Sequence, residues 1–165
     1  MTASDDALRA LVPDLLAYFG RRIDDHEDAA DALGETLLVL WRRRSRVPDD
    51  PEGMRQYAFG IARNVLASAR RGRVRRRQLV DRISKQLAVA WSEHAPSADA
   101  DLHTALDALG GRDRELVLLV AWEGFGVAEA GAVLGLKPDA ARQRFSRARA
   151  RLRAELAPSR VFTRP

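Results

Sequence analysis

The chain has no cysteine and almost no lysine: of its 28 basic residues only Lys85 and Lys137 are lysine, and arginine supplies the rest. Without cysteine there is no disulfide framework, no thiolate-bound zinc and no thiol nucleophile. The three histidines, His26, His94 and His103, lie at no ligand-like spacing, so no metal or other cofactor is expected. Strand signals are also missing, since no alternating run of β-branched residues reaches four. No apolar run approaches the roughly 20 residues of a membrane helix. The opening MTASDDALRA is acidic and lacks the basic-then-apolar pattern of a signal peptide, so membrane insertion is not expected and the expected compartment is the cytoplasm. What is present is an apolar fraction of 46%, too high for a disordered chain. The 165 residues suffice for one ordinary domain or two very small ones.

The net charge of +5 conceals four blocks. Residues 1–60 carry 8 basic and 12 acidic side chains, and residues 61–90 carry 9 and 1. Residues 91–136 carry 2 and 8, and residues 137–165 carry 9 and 2. Acidic–basic, acidic–basic suggests two modules, each ending in a basic segment. Arginine blocks of this density attract polyanions, because each guanidinium seated on a phosphate releases a condensed counterion. The plainer alternative is solvated surface balanced by acids elsewhere.

Helical periodicity is strong. Leu8, Leu11, Leu15, Leu16 and Phe19 predict a helix over about 5–20. A second is predicted over about 25–44, with Ala29, Ala30, Leu33, Leu37 and Leu40 on one face and Asp24, Asp28, Asp31 and Glu35 on the opposite one. Residues 46–53 read as a loop. A helix of about 54–71 follows, with Met54, Tyr57, Ala58, Ile61, Ala62, Val65 and Ala69 inward and Arg63, Asn64, Arg70 and Arg71 on other faces. The arginine cluster of residues 70–77 comes next. Residues 78–91 show a weaker helical pattern, and the small, polar, proline-containing segment 92–100 reads as a linker.

The second module predicts short helices at about 101–109 and 112–123, then a helix of about 127–134, a turn at 135–138 and a long helix of about 138–156. A short helix, a glycine-bearing turn and a second basic helix make the helix-turn-helix plan. Gly135 suits the left-handed position after the first helix, Leu136 can plug the turn, and Pro138 with Asp139 suits the start of the next helix. Lys137 is a weak cap. On the last helix Ala141, Phe145, Ala148, Leu152 and Leu156 form an inward seam, with Arg144, Arg147 and Arg151 pointing away from it. The N-terminal part of such a helix reads base edges, which nominates Gln143, Arg144 and Arg147, flanked by Ser146 and Arg142. Arg142, Arg149 and Arg153 form a second stripe suited to phosphates.

Two stretches then resemble a known family. Asp28-Ala-Ala-Asp-Ala-Leu-Gly-Glu-Thr-Leu-Leu-Val-Leu-Trp41 resembles conserved region two of bacterial RNA polymerase sigma factors. Tyr57-Ala-Phe-Gly-Ile-Ala-Arg-Asn64, followed by arginines, resembles the later part of that region. Leu102 to Leu156, containing Arg144-Phe-Ser-Arg-Ala-Arg-Ala-Arg-Leu152, is similar to region four. The size and the missing intermediate domain match the extracytoplasmic-function (ECF) class. The resemblance covers about 10–77 and 101–156. It implies an all-α chain of two small helical domains joined by a flexible linker, with region two over 5–77, a linker over 78–100, region four over 101–157 and a tail over 158–165.

The resemblance also implies roles. Asp28, Asp31 and Glu35 match positions that dock on the clamp helices of the polymerase largest subunit; a solvated acidic face and a carboxylate metal site are the other readings of these residues. Tyr57, Phe59, Arg63, Asn64, Arg70, Arg71 and Arg73 match the segment that recognises and opens the minus-10 element, with Asn64 at the pocket for a flipped base; Tyr57 and Phe59 could equally be core. Arg142, Gln143, Arg144, Ser146 and Arg147 would read the minus-35 element. The partners implied are core RNA polymerase (clamp helices and flap), promoter DNA in duplex and single-stranded form, and an anti-sigma factor. No catalysis is implied. Departures from the family are Gly34 where Gln is usual, Ala130 and Gly131 in the first helix of the motif, and Ala140 where Thr is usual. Two other classes share parts of the pattern. A free-standing helix-turn-helix regulator leaves Asn64 and the arginines after it unexplained. A metal-dependent nuclease would need carboxylates that converge, whereas one helix presents them in a line.

Overall fold

The computed structural model describes residues 3–84 and 98–156, with side chains from 6 to 72 and from 102 to 156. Every element among the described residues is helical. The chain divides into two compact units, Met1–Trp91 and Ser92–Pro165. Residues 85–97, the rest of the expected linker, and the tail 158–165 lie outside the described residues.

In the first unit, α1 (Ala3–Ala10) and α2 (Val12–Gly20) replace the single helix expected over 5–20. The break falls at Leu11 because Pro13 lacks an N–H and its ring would clash with the carbonyl four residues back; proline is accommodated in the first turn of α2 instead. Helix α3 (His26–Arg42) starts on Asp25, whose carboxylate accepts from the amides of Glu27 and Asp28 at 2.9 and 3.0 Å. A 3-10 turn (Arg44–Arg46) follows. Asp50 then caps α4, accepting from the Gly53 amide at 2.6 Å. Helix α4 (Pro51–Ser84) has 34 residues, so it runs through the arginine cluster and into the segment expected to be linker. Arginine is a good helix former, and Gly72 alone costs only about 1 kcal/mol.

The core of this unit is Leu15, Tyr18 and Phe19 of α2 against Met54, Ala58, Phe59, Ala62 and Leu66 of α4. Tyr18 sits edge-to-face with Phe19 and with Phe59, ring centroids 5.3 and 5.5 Å apart. Helix α3 buries Ala29, Ala32, Thr36 and Leu40. The expected inward face, which included Ala30, Leu33 and Leu37, is therefore rotated: Ala30 is exposed, Leu33 and Leu37 are half-buried. Small residues let α3 lie close to α4, and the buried Thr36 hydroxyl is satisfied by donating to the Ala32 carbonyl at 2.8 Å.

The second unit holds α5 (Ala98–Asp107), α6 (Gly111–Ala121), α7 (Val127–Val133) and α8 (Pro138–Leu156). Leu106, Leu109, Val117, Leu118 and Ala148 form its core, with Phe145 and Leu152 packed against it. Leu156, expected in the seam, is 44% exposed. The α7–α8 turn closes as a Schellman motif: the Leu136 amide donates to the Gly131 carbonyl at 2.8 Å and the Gly135 amide to Ala132 at 3.0 Å. Gly135 takes φ +67°, as the turn requires. Helix α7 and helix α8 meet at Gly131, where an added Cβ would stand 2.5 Å from the Ala141 Cβ.

Candidate nucleic-acid interface

Helix α8 has three flanks, and the structure sorts its polar residues among them. Arg142, Gln143, Ser146 and Arg147 line one shallow, open concavity. Arg142 is held on this rim by Asp139, 2.6 Å away one turn earlier. Arg142, Ser146, Arg149 and Arg153 border a second groove with Phe145 and Val127, and the Arg149 guanidinium lies 5.8 Å from the Phe145 ring centre. Arg144 belongs to neither. Its guanidinium reaches across to α6 and donates to the Asp113 carboxylate at 2.7 Å. The expectation that Arg144 points away from the packing side is corrected. It stands only about 40° from the edge of the buried seam at 100° per residue, close enough for a long side chain to fold back onto α6.

Helix α4 carries the next set. Tyr57 and Arg63 are half-buried, and Asn64, Arg70 and Arg71 are exposed. Tyr57, Asn64 and Arg71 are seven residues apart, two turns each, so they form one row along the helix. Arg63 and Arg70 form a parallel row about 100° away. Arg73 falls on the same helix, beyond the described side chains. Phe59 does not join them: it is 0% exposed, packed on Tyr18, with the Arg55 guanidinium 5.2 Å from its ring centre. Its reading as a melting-site aromatic is corrected to a core residue.

On α3 the acidic residues flank the core rather than oppose it. Asp28, Asp31 and Glu35 line a groove between α3 and α4 whose other wall carries Arg22 and Arg70. Arg22 lies over the Tyr18 ring, 3.8 Å from its centre, and donates to the Tyr18 carbonyl at 3.1 Å. The structure thus brings Arg70, expected with the DNA set, beside the three carboxylates expected with the polymerase set. Among the described residues no group of three or more acidic, histidine or cysteine side chains could hold a metal. Sequence periodicity missed two residues on the rotated outer face: Leu38 and Trp41 are 55% and 64% exposed, and Arg44 sits 5.1 Å from the Trp41 ring centre. Their signal was available, since Leu38 and Trp41, two and five positions beyond the buried Thr36, lie about 160° and 140° around the helix from it and cannot face inward with it.

Family models for sigma-70 region 2 and sigma-70 region 4 match residues 7–85 and 99–152. The chain belongs to the sigma-70 family of RNA polymerase sigma factors, in its ECF class. It is 30% identical over 145 residues to the RNA polymerase sigma-E factor of Streptomyces coelicolor, covering 86% of this chain and 79% of that one. It is 33% identical over 149 residues to the ECF RNA polymerase sigma factor SigE of Mycolicibacterium smegmatis, covering 86% of this chain and 56% of the other. A solved structure of the sigma factor RpoE in complex with the anti-sigma factor NepR from Bartonella quintana superposes with a TM-score of 0.66, at 26% identity, over 94% of this chain and 98% of that one. As an ECF sigma factor the protein serves transcription initiation. Its all-helical two-region fold agrees with the sequence expectation, and no described helix is long and apolar enough to cross a membrane.

Proposed function

We propose that the chain binds core RNA polymerase and directs promoter-specific initiation, reading the minus-35 element with its second unit and opening the minus-10 element with its first. The observation that carries this reading is the open concavity on α8, where Arg142, Gln143, Ser146 and Arg147 stand together on the second helix of a helix-turn-helix. Guanidinium and carboxamide groups there can pair with guanine and adenine edges, and Arg149 and Arg153 beside them suit phosphates. The Tyr57, Asn64 and Arg71 row offers a ring, a carboxamide and a cation to an unstacked strand, with Arg63, Arg70 and Arg73 gathering its phosphates. The face of Asp28, Asp31 and Glu35, bordered by Leu38 and Trp41, suits a polymerase surface of mixed basic and apolar character. The functional modules are 5–77 and 101–157, joined by 78–100. The protein takes no chemical step itself. By likeness to the Bartonella sigma factor, solved with an anti-sigma factor, a regulatory protein partner is proposed here as well.

The test is reconstitution. Core RNA polymerase alone and core polymerase with this chain are given genomic fragments, and transcript starts are mapped. Supported starts should align on two sequence blocks upstream. A chain that binds duplex DNA but never yields transcripts with core polymerase is a free-standing regulator instead.

A further inference from the structure

In the second unit the ion pairs Arg114–Asp107, between α6 and α5, and Arg144–Asp113, between α8 and α6, join different helices, and of these two only Arg144–Asp113 has both side chains at most 36% exposed. Arg142–Asp139 spans one turn of one helix, with side chains 59% and 87% exposed. Arg144 and Asp113 come from α8 and α6, 31 positions apart, and their side chains are only 36% and 24% exposed. Asp113 lies in the first turn of α6, where a carboxylate is favoured by the helix dipole whether or not an arginine reaches it. Its charge is thus a fixed feature onto which Arg144 folds. Arg147, one turn further along α8, has no acidic partner among the described residues and stays on the open concavity.

We propose that Asp113 withdraws Arg144 from DNA and so determines which side chains of α8 read sequence. Gln143 and Arg147 read base edges, while Arg144 sets the seating of α8 on α6. Donation from Nη1 to the Asp113 carboxylate turns the Arg144 guanidinium toward α6 and offsets its charge. While that bond holds, the group is drawn off the DNA-facing side, and its gain from a guanine edge or from counterion release at a phosphate is reduced. This assignment rests on the minus-35 reading of α8, and it makes Asp113, a residue outside the lining of the concavity, a positioning residue for specificity.

The experiment selects duplexes from a randomised pool with the full chain bound to core polymerase, then measures affinity against salt. Arg147→Ala should lower one base preference roughly 5- to 150-fold. Arg144→Ala should leave the selected sequence unchanged, and Arg144→Gln, which keeps part of the stem, gives the same readout if the alanine variant folds poorly. Asp113→Asn should release Arg144, raise affinity for all duplexes, and steepen the slope of log affinity against log salt by about one counterion. A purely structural role for Asp113 would lower the melting temperature and leave that slope alone, and this outcome would overturn the proposal. So would loss of a base preference in Arg144→Ala. If the wild type selects no sequence and Arg147→Ala changes nothing, the minus-35 reading has failed. The salt slope of Asp113→Asn then still decides whether Asp113 restrains Arg144.

Discussion

Gly34 and Gly131 stand inside helices for opposite reasons. Gly34 is exposed on α3 with nothing within 4 Å of where a Cβ would be, so it costs helix stability and relieves no clash. Gly34→Ala should raise unfolding free energy by about 0.5–1 kcal/mol, measured by urea denaturation followed by circular dichroism. Gly131 sits on Ala141, whose Cβ belongs to a helix backbone and cannot swing aside. Gly131→Ala should be a net loss of about 1 kcal/mol or more, because crowding outweighs the gain in propensity; an unchanged midpoint would show that α7 and α8 part freely. Sequence alone does not separate the two positions, since the neighbour that crowds Gly131 lies ten residues along the chain across a turn. Phe59 and Arg144 were opaque for the same reason. Their surroundings, Tyr18 and Asp113, come from other helices, and residue type says only that an aromatic or an arginine could serve DNA.

Helices themselves were legible where periodicity and punctuation agreed. Gly135, Pro138 and the leucine and alanine seam mark out α7 and α8 closely. Pro13 marked a break that the run of leucines concealed. The inward face of α3 was misplaced because hydropathy weights Leu33 and Leu37 above Ala32 and Thr36, whereas close packing on α4 favours the small residues. That rotation matters for function, since it puts the acidic residues at the rim of a groove and leaves Leu38 and Trp41 exposed. Glu35→Arg should weaken core-polymerase binding about tenfold, near 1.4 kcal/mol, while upstream duplex binding and thermal stability stay as they were; binding can be followed by fluorescence anisotropy of labelled protein. On α8, Arg149→Ala should weaken binding to every duplex alike and flatten the salt slope by about one unit, without altering base preference.

At the scale of the whole chain, the segregation of charge was the most informative feature of the sequence. Among the described residues, the last helix of each unit is long and basic, α4 and α8. The unbroken course of α4 to Ser84 carries its arginines along one continuous helix of about 50 Å, where the sequence suggests a helix followed by a cluster. On the function proposed above, two basic helices in two units carry two separable DNA tasks, duplex reading by α8 and strand separation by α4. The most direct test is permanganate footprinting of holoenzyme on a promoter mapped by reconstitution, compared for wild type, Asn64→Ala and Arg147→Ala. The division of tasks predicts that Asn64→Ala keeps upstream protection and loses reactive thymines around minus 10, while Arg147→Ala loses upstream protection first. Equal loss of both signals in both variants would contradict it.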